Sequence, residues 1–145
     1  MTPFRLIETV STLLENSVEN WELPAEPSDK KVSIYRQFVP AAEFADDSFY
    51  PLICVEFVGL DDDVEFAVAQ VLITVATYDG DSAGWQDHLN LAQNVRQTLL
   101  KNQIIGEFAL QLPLSFGMAE KTEDNFTFSN FLAVYQLPSI SAKYF

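Results

Sequence analysis

The stretch PLICVEFVGLDDDVEFAVAQVLITVATYD, residues 51–79, constrains the fold more than any other part of the chain. Two runs dense in Val, Ile, Phe and Thr flank a joint of glycine and aspartates from Gly59 to Asp63, which predicts a β-hairpin. The second arm, Val64 to Tyr78, is long for a strand and predicts a bend or a bulge. Divided by parity, one of its faces carries Val64, Phe66, Val68, Leu72 and Tyr78, and the other Ala67, Ala69, Val71, Ile73 and Val75. An antiparallel sheet with one wet face alternates apolar and polar residues, and this strand does not. Both faces of the sheet therefore need covering.

The rest of the chain supplies little cover. Residues 2–18 predict a helix, with Leu6, Ile7, Val10, Leu13, Leu14 and Val18 on one stripe and Pro3 suited to a first turn. ENWELPAEPSDKK reads as an extended linker, KVSIYRQFV as a first strand, and PAAEFADDSFYP as a loop with one short helical turn. Trp85 to Lys101 predicts a second helix with Trp85, Leu89, Ala92, Val95 and Leu99 on its inner face. After Gly106 two more strands follow, joined by a polar connection from Met118 to Asp124; Pro113 and Pro138 push them toward an edge or an end. The order is α-β-β-β-α-β-β. That is one α+β domain spanning 1–145, with a mainly antiparallel sheet and two helices. Its last strand also has two apolar faces, Phe126, Phe128, Leu132 and Val134 opposite Phe131, Ala133 and Tyr135. If both helices lie on one side, the other side is left for a second copy of the chain. If they take one side each, nothing follows. The first arrangement is favoured, and it predicts self-association.

Charge narrows the partners. Eight basic against 21 acidic residues give a net charge of -13, which disfavours a protein that grips nucleic acid, although DNA could slide past such a surface. No apolar run approaches the length a membrane helix needs, the N-terminus has no signal-peptide pattern, and the single cysteine forms no internal disulfide. The expectation is a soluble protein of the cytoplasm.

No candidate catalytic or metal motif is complete. DGDSAGWQDHLN places Asp79 and Asp81 as the first and third positions of a calcium loop, but Ala83 and Asn90 stand where the fifth and twelfth oxygen ligands belong. No lysine follows its glycines, so it is not a phosphate loop either. Asp81 or Ser82 instead suits a helix N-cap, and Asp87 the first-turn dipole. His88, the only histidine, falls at the edge of the apolar stripe and reads as partly buried with one hydrogen bond. Cys54, inside LICVEF, reads as an inert core thiol. Asp61, Asp62, Asp63 and Glu65 crowd a hairpin tip, where carboxylates are solvated and discourage edge pairing. Together with Phe66 and Val68 they are the candidate interface or pore residues. The series Phe126, Phe128, Phe131 and Tyr135 lacks interleaved basic residues and reads as packing, not as a base-stacking platform. No catalytic residue, metal ligand or cofactor site is expected.

The chain resembles the small tail-terminator and head-tail joining proteins of long-tailed phages and prophages. The resemblance rests on the N-terminal amphipathic helix, FYPLICVEFVG, the strand ending VLITVATYDGD, the helix GWQDHLNLAQNVRQTLLKN, IIGEFALQLPLSF, and the closing hairpin that ends FLAVYQLPSI. It covers most of the chain and is one of pattern and order. The resemblance implies an α+β subunit that forms a ring, usually of six. Such a ring caps the tail tube, stops its polymerisation, joins the tail to the head connector and leaves a pore for DNA. The partners it implies are further copies of the chain, the tail tube protein and a head-completion protein, in the virion tail or in the host cytoplasm during assembly. It implies no enzyme activity, cofactor or metal. Two rival readings remain: a small metal-dependent hydrolase built on Asp61 to Asp63 and Asp79 to Asp81, and a monomeric acidic adaptor or DNA mimic.

Overall fold

The computed structural model describes residues 3–19, 31–78, 84–119 and 125–138. Helix α1 spans Pro3–Val18 and strand β1 Ser33–Arg36. A short helix α2, Ala41–Phe44, and a 3-10 turn, Asp47–Phe49, lead into β2, Leu52–Asp62, and β3, Phe66–Tyr78. Helix α3, Gly84–Lys101, is followed by β4, Ile104–Ile105, β5, Phe108–Met118, and β6, Phe126–Pro138. The strands form one six-stranded sheet in the order β1-β2-β3-β6-β5-β4. The fold is α+β.

The hydrophobic hairpin forms as its composition demands, with β3 in the middle of the sheet between β2 and β6. The irregularity expected in its long second arm lies in the first arm instead. Phe57 pairs with Val71 and Gly59 with Gln70, which leaves Val58 extra. This one-residue bulge reverses the parity of β2, so Leu60 and Asp62 fall on the side of Ala69 and Ala67, while Asp61 falls with Val68. A second irregularity in β5 sets three residues, Leu112 to Leu114, against the single Ala133 of β6, and it contains Pro113, which has no N–H to give to the ladder. The first strand pairs in parallel with β2 at the sheet edge, and its Arg36 reaches across to α1, where it meets Glu8 at 2.8 Å and also Glu15. The loop expected at PAAEFADDSFYP holds two helical turns, closed by Asp46 accepting from the Ser48 amide at 2.9 Å.

Both long helices lie on one side of the sheet. Leu6, Val10 and Leu14 of α1 and Leu91, Val95 and Leu99 of α3 share one core with Val71, Ile73, Ala133 and Tyr135. Helix α3 is rotated from the phase its apolar residues suggest. Its buried face is His88, Leu91, Ala92, Val95 and Leu99, while Trp85 is 53% and Leu89 38% exposed. The inner face built on Trp85 and Leu89 is thus corrected.

Candidate assembly surface

The opposite side of the sheet is the first candidate surface, and strand parity builds it. In β3 it presents Val68, Gln70, Leu72, Thr74, Ala76 and Tyr78, and in β6 their partners from Gln136 through Phe126. One end of this side is roofed by the segment that carries α2. There Phe44 stacks on Phe128 at 5.7 Å between ring centres, Tyr50 meets Phe126 at 5.0 Å, and the Tyr50 hydroxyl donates to the Phe44 carbonyl at 2.7 Å. Tyr50, Leu52 and Ala76 are buried beneath it. Beyond Phe128 the roof stops. Val68, Leu72 and Val134 remain half-buried, and Leu132 is 37% exposed. A groove of about 680 Å³ runs along the boundary, between Phe38, Phe44 and Phe128 on its walls and Cys54, Thr74 and Asn130 on its floor. Thr74 donates to the Asn130 side chain at 2.9 Å, so the polar pair on the floor satisfies itself.

The hairpin tip lies at the far end of the same sheet, where Phe66 pairs with Pro138. Asp61, Asp62, Asp63 and Glu65 are all exposed there, as is Val64, and Phe66 and Val68 are half-buried. The Asp63 carboxylate accepts from the Val64 amide at 2.7 Å, which turns the chain at the tip. None of these carboxylates lines the groove, and all four stand in open solvent. Among the described residues no group of three or more His, Cys, Asp or Glu side chains is placed to hold a metal. Asp79, Asp81 and Ser82, considered above as calcium ligands or a helix cap, lie outside the described residues.

His88 is more deeply held than its position in the sequence suggests. It is fully buried and makes two hydrogen bonds, from Nδ1 to the Thr77 hydroxyl at 2.9 Å and from Nε2 to the Ser129 hydroxyl at 2.7 Å. The expectation of partial burial and one bond is corrected. The constellation has the outline of a serine-histidine pair, but Ser129 has no exposed surface and does not line the groove, so no substrate carbonyl can approach it. A neutral ring offers one donor and one acceptor, which two hydroxyls complete. Burial without a counter-charge pushes its pKa down to about 4. The cluster ties α3 to β3 and β6. Thr77 and Ser129 are polar residues on the helix side of otherwise apolar strands, and only that anomaly marks them in the sequence.

Cys54 is 4% exposed, and burial followed by the Glu56 charge pushes its thiol up to about 12, which leaves it protonated and unreactive. In the aromatic series, Phe131 and Tyr135 belong to the helix-side core, while Phe126 and Phe128 form the roofed end of the other side.

No protein-family model matches the chain, and no curated protein matches it. Among solved structures, its fold is similar to that of a chain from the virion of a native gene transfer agent particle. That likeness covers 92% of this chain and 95% of the other, with a TM-score of 0.51 and 16% identity. At that identity the likeness is one of fold.

Proposed function

We propose that the chain is a structural protein of a phage-type virion, and that it terminates the tail tube as a ring of six copies. The observation that carries this reading is the shared architecture with a chain of a virion particle, which takes in nearly the whole of both proteins. Two features of the surface support it. The side of the sheet away from α1 and α3 is roofed only at one end, and beyond the roof Val68, Leu72, Leu132 and Val134 stay partly exposed among Gln70, Thr74, Asn130 and Gln136, a mixed surface that an assembly can bury. Among the described residues, the carboxylates at the hairpin tip stand on open surface, and His88 and Ser129 are fully buried.

In this reading the strand Phe66–Tyr78 contributes one of two complementary patches, as a ring needs. The tip from Asp61 to Glu65 lies near the pore or the rim. A lining that carries part of a net charge of -13 lets DNA pass without holding it, because phosphate binding requires clustered cations. The neighbours are the tail tube protein on one side and a head-completion protein on the other. No cofactor enters the function. The test is to add the protein to polymerising tail tube protein and to image the products by electron microscopy. Capped tubes of limited length support the reading; tubes that grow unchecked, with no density at their ends, contradict it.

A further inference from the structure

We propose that the exposed flank of α3 in one copy docks in the groove on the uncovered sheet side of the next copy, with Arg96 pairing to Glu56. This rests on the assembly reading above and names the second patch which that reading lacks. Trp85, Leu89 and Arg96 are spaced by four and seven residues and share one face of α3, over about 16 Å of helix. All three are exposed, along the flank of α3 beside its buried stripe, where Leu89 and Arg96 border a small cleft with Phe116 and Phe131 of the sheet. An aromatic, an aliphatic and an arginine in line form a ridge of the kind that enters an apolar groove, and Trp and Arg are the residues that most often anchor such contacts. The groove offers aromatic walls, with Phe38 69% and Phe44 46% exposed.

Charge selects the occupant. Glu56 stands half-buried at the groove, and no cation lies within ion-pair distance of it among the described residues. A carboxylate enclosed further by a docked partner needs a counter-charge, since an unpaired buried charge is costly. Arg96 is the reciprocal case, because among the described residues no carboxylate pairs with it. Arg5 and Arg36 are both engaged in ion pairs within the chain. The ridge and the groove lie on opposite sides of the sheet, so the contact is head-to-tail. A head-to-tail contact whose rotation closes gives a ring.

Light scattering and sedimentation on four proteins test this at high concentration and raised salt: the parent, Trp85→Ala, Arg96→Glu and Glu56→Arg. Each substitution lies on an exposed or half-exposed side chain, and an unchanged melting temperature verifies the fold. Each single variant should self-associate at least tenfold more weakly than the parent. An equal mixture of Arg96→Glu and Glu56→Arg should recover assembly, because every contact in an alternating ring is then matched. If the parent assembles and Arg96→Glu and Trp85→Ala assemble equally well, this interface is wrong while the assembly reading stands. If the singles weaken but the mixture does not recover, Arg96 does not pair with Glu56. A parent that is monomeric under every condition, beside its tube protein included, overturns both.

Discussion

His88 makes a quantitative prediction about pH. In the folded chain its imidazole is fully buried between the Thr77 and Ser129 hydroxyls, neither of which carries a charge that could hold a proton on the ring. Its pKa is therefore lowered from 6.5 to about 4 by loss of hydration. Below pH 6.5 the unfolded chain takes up a proton that the folded chain refuses, so acidification favours unfolding. The stability that His88 contributes is complete above pH 6.5 and is lost as pH falls from there toward 4. Linkage over that interval gives about 2 kcal/mol between pH 7.5 and pH 5, and about 3 kcal/mol if the titration is followed to its end. For a chain of this size each kcal/mol lowers the melting temperature by roughly 2–4 °C. The 21 acidic residues also titrate in acid, so the assay must isolate the histidine. Urea unfolding of the parent and of His88→Gln, each at pH 7.5 and pH 5, does so by difference. At pH 7.5 the variant should be less stable by about 1–3 kcal/mol, because a single amide cannot serve both hydroxyls. At pH 5 that gap should shrink by about 2 kcal/mol. A gap that is the same at both pH values would refute the buried, neutral histidine.

Three further outcomes follow from the packing. Phe131→Ala removes a ring buried in the helix-side core and should destabilise the fold by about 3–5 kcal/mol, read by denaturant titration. Arg36→Met breaks the part-exposed ion pairs with Glu8 and Glu15 that tie β1 to α1; it should cost only about 0.5–1 kcal/mol, less in high salt, by the same titration. Cys54 should resist alkylation in native protein at pH 8 and react promptly in urea, with mass spectrometry as the readout; rapid native labelling would show the groove floor to be more open than described.

The strands were legible in the sequence because a period of two separates the faces cleanly. Parity alone puts Ala67, Ala69, Val71, Ile73 and Val75 on one face, and the structure buries all five; which of the two apolar faces the helices cover is not written in that strand. The phase of α3 was not legible. Trp85 and Leu89 are apolar and His88 is polar, so hydrophobicity alone turns the helix the wrong way. The structure inverts their places because Thr77 and Ser129 supply the partners that let a histidine be buried. Ser129 lies 41 residues from His88, beyond the reach of any local pattern. The parallel edge strand was equally hidden, since four residues of Ser33–Arg36 carry no signal of their direction. At the tip, exposure of Asp61 to Glu65 followed from charge and turn chemistry, whereas the bulge at Val58 that decides which side each faces did not. An uncovered sheet side is one of the two arrangements the sequence allows, and only the packing of both helices together decides between them.

The central claim is that this side is covered by further copies in a closed ring. Six copies of a 16.3 kDa chain have a mass of about 98 kDa. Each copy carries a charge of -13, so crowding six of them is repulsive at low ionic strength, and salt should strengthen assembly rather than weaken it. Multi-angle light scattering across a series of protein and salt concentrations should show a species near 98 kDa that grows as salt is raised. A mass that stays at 16.3 kDa at every concentration, and still does so beside the tail tube protein, would contradict the account.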